Sequence, residues 1–147
     1  MKDYTIIQAE LHDLDDCAFL LDQYRIFYQA KSDLNKAKQF MRERLQLQDS
    51  KVFLLRRQDQ ALGFAQVYPS YSSFSLAKVY ILNDLFVIEE ERGKGYGTIL
   101  IHTVLSYASE QGCARVSLST AKDNPAQHLY EALGFKKSSF KYYNFAM

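Results

Sequence analysis

Residues 78–88, Lys-Val-Tyr-Ile-Leu-Asn-Asp-Leu-Phe-Val-Ile, limit the fold more than any other part of the chain. They read as one extended strand that is apolar in both alternating sets. Val79, Ile81, Leu85 and Val87 form one set, and Tyr80, Leu82, Phe86 and Ile88 form the other. A strand apolar on both faces has to be covered on both faces, which puts it in the middle of a sheet with a layer above and a layer below. Asn83 and Asp84 interrupt the run, and strict alternation assigns one to each face.

The rest of the chain supplies those layers. Residues 4–9 suit a short strand. Leu11, Leu14, Cys17, Ala18, Leu21, Tyr24 and Tyr28 then recur at helical spacing. Leu34, Ala37, Met41 and Leu45 predict a second helix, capped by Ser32 or Asp33. Residues 51–57 and 62–68 flank Gln58-Asp59-Gln60 and predict a hairpin, followed by a polar and aromatic loop over 69–75. Tyr96, Ile99, Leu100, Thr103, Val104 and Tyr107 share a helical face, and Gly112 ends that helix. Residues 115–120 alternate as a strand. Asn124, Pro125 and Gln127 have the pattern of a capping box opening a helix that stops at Gly134. Residues 135–145 close the chain with one or two strands. The order is β-α-α-β-β-β-α-β-α-β. A helix joining the central strand to 115–120 makes a parallel crossover, whereas the hairpin is antiparallel. The expectation is therefore an α/β (α+β) fold with a mixed sheet and helices on both faces. At 147 residues it is a single domain over 1–147.

Composition excludes some partners. The net charge of +1 argues against nucleic acid and membrane surfaces, which select an excess of Lys and Arg. Two cysteines, Cys17 and Cys113, lie far apart and form no CxxC. No apolar stretch reaches the length of a signal peptide or a membrane span, so a reducing, cytoplasmic setting is expected. His12, His102 and His128 fit no ligand spacing with the cysteines, and no metal is expected. The eleven tyrosines, beside ten Phe and no Trp, suit packing, a pocket lining or a proton donor.

The chemistry concentrates after the central strand, in Glu89-Glu90-Glu91-Arg92-Gly93-Lys94-Gly95-Tyr96-Gly97-Thr98. Glycines at every second position let the backbone turn tightly and aim successive N–H groups at one point. The following helix adds its partial positive end, and Arg92 and Lys94 add full charges, so a pyrophosphate fits. The three glutamates read as a solvated loop. A Walker loop is absent, and the glycine spacing departs from the dinucleotide fingerprint.

These residues resemble a known family. Arg92-Gly93-Lys94-Gly95-Tyr96-Gly97 resembles the (Arg/Gln)-x-x-Gly-x-(Gly/Ala) motif of the GNAT N-acetyltransferases. Asn124 with Leu129-Tyr130-Glu131-Ala132-Leu133-Gly134-Phe135 is similar to that family's second signature, Asn followed by Leu-Tyr-x-x-x-Gly-Phe. The element order matches over essentially the whole chain. The resemblance implies acetyl-CoA as cosubstrate. Its pyrophosphate would lie on Arg92, Gly93, Lys94, Gly95, Tyr96, Gly97 and Thr98, and its pantetheine arm along Leu85, Phe86 and Val87. Asn124 would be a cofactor contact and Tyr130 the general acid. Asn83 and Asp84 stand where polyamine acetyltransferases carry Glu-Asp. Asn83 has no basic oxygen to offer, and Asp84 is left to hold a cationic amine or take its proton.

Tyr24, Tyr28, Tyr71 and Phe74 are candidates to line the acceptor pocket. Aromatic faces beside Asp84 suit a small cation such as a polyamine, amino acid or aminoglycoside. The expected activity is acetyl transfer from acetyl-CoA to such an amine, in a protein able to form a homodimer. Acetylation of a protein lysine or N-terminus, a non-catalytic acyl-CoA-binding module, and a nucleotide-binding protein using the same loop are the alternatives.

Overall fold

The structure, a computed structural model, describes residues 3–147. Five strands form one sheet in the order of the chain: β1 (Thr5–Gln8), β2 (Lys51–Arg57), β3 (Gln60–Ser72), β4 (Ala77–Val87) and β5 (Val116–Ser117). The first three ladders are antiparallel and β4–β5 is parallel, so the sheet is mixed. Helices α1 (Leu14–Phe27) and α2 (Leu34–Leu47) precede β2. Helix α3 (Tyr96–Glu110) makes the crossover, and α4 (Ala126–Ala132) follows β5.

Each helix buries the stripe that its sequence provides. Tyr96, Leu100, Val104 and Ala108 recur every fourth residue on α3 and are all buried. The α3 residue Tyr107 meets Phe53 of β2 and Tyr80 of β4. Tyr24 of α1 meets Phe64 of β3 and Phe86 of β4. Phe64 and Phe86 are direct partners across the β3–β4 ladder, so they share a face. The two faces of the sheet are thus covered by α1 and by α3. Leu54, Leu55, Leu62 and Leu100 are fully enclosed, and burial of each stabilises the fold by about 1.5–3 kcal/mol. Between α1 and α2, the buried carboxylate of Asp22 accepts from the Ser32 hydroxyl and the Asp33 amide, at 2.7 and 2.8 Å. Asp33 in turn caps α2 by accepting from Lys36 N–H.

The structure departs from the sequence reading in four places. Strict alternation along β4 does not hold. The β3–β4 register slips between Gln66↔Asp84 and Val67↔Leu82, leaving Asn83 as an extra residue in a β-bulge. The slip reverses side-chain parity. Tyr80 before it faces α3, whereas Phe86, six residues later, faces α1. Second, β3 continues through Pro69 to Ser72 where a loop was expected. β2 has ended its pairing at Val67, so β3 is an edge strand there and the missing Pro69 N–H removes no ladder bond on the open side. Third, the strand expected over 115–120 pairs only at Val116 and Ser117. Residues 135–145 form no strand, because their backbone has no ladder to join. Phe140, Tyr142, Tyr143 and Phe145 stand 84–90% exposed. Fourth, Asn124 caps α4 by accepting from Ala126 N–H, but Gln127 donates to Lys122 O instead of closing the expected capping box.

Candidate active site

The loop after β4 has the backbone geometry of an anion cradle and is tied down at its base. Gly93 and Gly95 sit at φ +79° and +86°, in the region that disfavours side chains, and a Cβ on either would meet no other atom. Glycine is needed there for backbone angle, not for space. Gly95 is the N-cap of α3, and the first intrahelical bond is Ile99 N–H to Gly95 O. The amides of Tyr96, Gly97 and Thr98 are therefore left without an intrahelical acceptor at the positive end of the helix dipole. This exposed amide set fits a pyrophosphate.

The charges divide unexpectedly. Glu91, read from the sequence as part of a solvated run, is buried. It accepts from Arg57 and, at 2.6 Å, from Lys94. Those two cations hold its carboxyl down at about 2. Lys94 thus anchors the loop while remaining half exposed, and Arg92 is the cation left facing outward. The Arg92 guanidinium lies 4.7 Å from the Phe27 ring centre and 5.3 Å from that of Phe86, and its Nε donates to Val87 O at 2.9 Å.

Beside the cradle, β4 runs to Val87 while its parallel pairing with β5 ends at Ile81↔Ser117. Leu85, Phe86 and Val87 therefore border an open edge of the central strand, with Gly93 to Thr98 at its end. An extended chain can add to such an edge as a further strand.

On the α1 face, the bulge delivers Asp84 to a cluster of tyrosines. Asp84 is only 4% exposed. It accepts from Gln66 Nε2 at 2.6 Å on one oxygen and from Asn83 Nδ2 at 3.0 Å on the other. Burial pushes its carboxyl above the usual carboxylate range, and the donors Gln66, Asn83 and Tyr24 pull it back down. The Tyr24 hydroxyl reaches Asn83 O at 3.5 Å, and burial together with Asp84 raises its own pKa. The rings of Tyr24 and Tyr28 lie 4.9 Å apart. Tyr28 accepts from Asn124 Nδ2 at 3.2 Å, a contact that joins the end of α1 to the start of α4. Tyr130, on α4, is half-buried against Phe135, and burial and the proximity of Tyr28 raise its pKa.

The structure therefore gathers Tyr24, Tyr28, Asn83, Asp84, Asn124 and Tyr130 into one neighbourhood. Tyr71 lies outside it. It is 77% exposed and pairs with Lys78 near the far end of the β3–β4 hairpin, whose turn carries the fully exposed Phe74. The sequence reading missed Gln66 and its partner Ser50. The available signal was one amide in the otherwise apolar run over 61–67.

A family model described as "Acetyltransferase (GNAT) family" matches residues 10–135, which takes in both the cradle and Tyr130. The chain belongs to the GNAT family. It is an acetyltransferase, and enzymes of this family use acetyl-CoA and an amine acceptor. The uncharacterized N-acetyltransferase YhfO of Bacillus subtilis (strain 168) is 38% identical over 136 residues, covering 92% of this chain and 91% of that protein. The thialysine N-epsilon-acetyltransferase of Bos taurus is 36% identical over 74 residues, covering 50% of this chain and 43% of that one. The crystal structure of a probable acetyltransferase superposes with a TM-score of 0.91 at 37% identity, covering 97% of each chain. In this GNAT acetyltransferase the free amides at the start of α3 and the open edge of β4 fit the phosphates and the extended arm of acetyl-CoA.

Proposed function

We propose that this acetyltransferase acts on a primary amine of a small cationic molecule, with Asp84 holding the ammonium and Tyr130 as general acid. The observation that carries this reading is the buried Asp84 carboxyl, turned by the bulge toward Tyr24, which in turn neighbours Tyr28 and Tyr130 beside the open edge of β4. A carboxylate beneath aromatic faces attracts an organic cation by charge and by the ring quadrupoles. Polyamines, amino acids and aminoglycosides share that chemistry. The cytoplasmic setting expected from the cysteines belongs to the same reading.

Acetyl-CoA supplies an activated thioester. Arg92 and the amides from Gly93 to Thr98 hold the phosphates, and Leu85–Val87 align the arm. A backbone N–H of that stretch receives the charge that develops on the carbonyl oxygen. Asn124 braces the start of α4 and the Tyr28 hydroxyl, and Tyr130 on that helix is the residue that would protonate the departing sulfur.

The test is a panel of polyamines, amino acids, aminoglycosides and lysine peptides. It is read by CoA release and by mass spectrometry of the acetylated product. Small cationic amines are expected to be acetylated, and Tyr130→Phe is expected to lower turnover by about 10²-fold. Binding of acetyl-CoA without turnover on any amine, or unchanged chemistry in Tyr130→Phe, would refute the reading.

A further inference from the structure

Asp84 is not supported by its neighbours on β4 alone. Across the ladder stands Gln66, its direct partner next to the bulge and fully enclosed, at 0% exposure. Its amide is used at both ends. Nε2 donates to Asp84 Oδ2 at 2.6 Å, and Oε1 accepts from the Ser50 hydroxyl at 2.9 Å. Ser50 is itself buried at the entrance to β2. Three buried polar side chains from three segments thus form one line, in a region otherwise filled by Phe64, Leu54 and Val52.

Burying such a line is costly unless it fixes something. An amide has one donor end and one acceptor end, and only the donor end stabilises a carboxylate. A hydroxyl on Oε1 satisfies the acceptor end and leaves Nε2 for Asp84. The groups facing Asp84 are Gln66 and Tyr68 from β3, Asn83 from β4 and Tyr24 from α1.

We propose that Gln66, held by Ser50, is a positioning residue of the acceptor site. It orients and keeps ionised the Asp84 carboxylate, which draws the proton of the acceptor ammonium through the Tyr24 hydroxyl. The inference rests on the small-amine reading proposed above. An N–H bond of the ammonium breaks, Tyr24 takes that proton and passes its own to Asp84. The freed lone pair forms the N–C bond to the thioester carbonyl. As the C–S bond breaks, sulfur takes the Tyr130 proton. The second proton shed by nitrogen restores Tyr130, and Asp84 returns one proton to solvent.

The decisive experiment titrates the Asp84 side-chain carbon by NMR in protein carrying ¹³C-labelled aspartate, with Asp84→Asn to assign the signal. The acid limb of kcat/KM for the amine is measured in parallel. Gln66→Met keeps the volume and removes the donor. It should raise the Asp84 midpoint and the kinetic limb together by about one pH unit, the scale of one lost hydrogen bond to a charged form. KM for acetyl-CoA should not change. Ser50→Ala should move both in the same direction by less, and Ser50→Thr, which keeps the hydroxyl, should restore both. A purely structural role lowers activity without moving either midpoint. An unshifted Asp84 midpoint in folded Gln66→Met overturns the proposal, as does a shifted midpoint with an unmoved kinetic limb. If Gln66→Met does not fold, the Ser50 pair decides on the same criteria. Absence of turnover on any small amine in the unsubstituted protein overturns the small-amine reading itself, and the NMR titration tells that failure from the other.

Discussion

Gly63 offers a direct test of how β3 and β4 hold the site. A Cβ built on Gly63 falls 2.6 Å from Phe86 O and 3.3 Å from Val87 Cα. The obstacle is backbone, so no rotamer change relieves it. Reaching 3.4 Å, where ordinary contact begins, needs about 0.8 Å of separation (3.4 less 2.6) between two strands that are paired at this point, Gly63 opposite Val87. Overpacking of this kind costs about 1–3 kcal/mol. For a chain of this size that lowers Tm by roughly 2–12 °C. The displaced atoms belong to Phe86 and Val87, which border the open edge proposed for the acetyl-CoA arm, so Gly63→Ala should also weaken acetyl-CoA binding. Thermal unfolding followed by circular dichroism, with calorimetric titration of acetyl-CoA, measures both. Gly97→Ala is the control for stability. Its Cβ meets only Leu129 Cδ2, at 3.7 Å, within a helix, and it should be neutral or stabilising by up to about 1 kcal/mol. A Gly63→Ala protein melting within about 1 °C of the parent and binding acetyl-CoA equally well would refute the reasoning, since an effect below about 0.5 kcal/mol is what an uncrowded surface site shows.

Two more perturbations address the cradle. Arg92→Ala removes the outward-facing cation and should raise the Kd for acetyl-CoA by about tenfold, the scale of one lost charge-assisted contact, while lessening the salt dependence of binding. Titrations at two ionic strengths check this. Glu91 is held at about 2 from an ordinary 4.5, so its stabilisation is complete above the ordinary value and is lost as pH falls toward 2. Urea midpoints between pH 5 and pH 3 should therefore fall less steeply in Glu91→Gln than in the parent, from a lower starting value at pH 5.

The parts legible in the sequence were those governed by local period or by backbone need. The four-residue stripe of α3 and the angles demanded of Gly93 and Gly95 both show in residue types alone. So did the mixed sheet, because a helix between two strands enforces a parallel crossover. What escaped depended on pairing between distant segments. Whether Glu91 is solvated depends on Arg57, thirty-four residues away. The Gln66–Ser50 contact depends on the turn of the β2–β3 hairpin. The faces of β4 were misassigned because a bulge is a property of two strands in register, and alternation within one strand does not contain it. The strands expected over 135–145 likewise needed a partner strand, which the residues of that segment do not supply.

That extra residue in β4 also bears on how such an acceptor site is moved from one protein to another. Asn83 works as a spacer as much as a side chain. Copying Asp84 alone onto a strand without the slip sends the carboxylate to the opposite side, toward the aromatic pair Tyr80–Tyr107. There neither Gln66 nor Tyr24 can reach it. A graft that preserves the chemistry has to preserve the register slip between Leu82 and Asp84 first, and residue identity second.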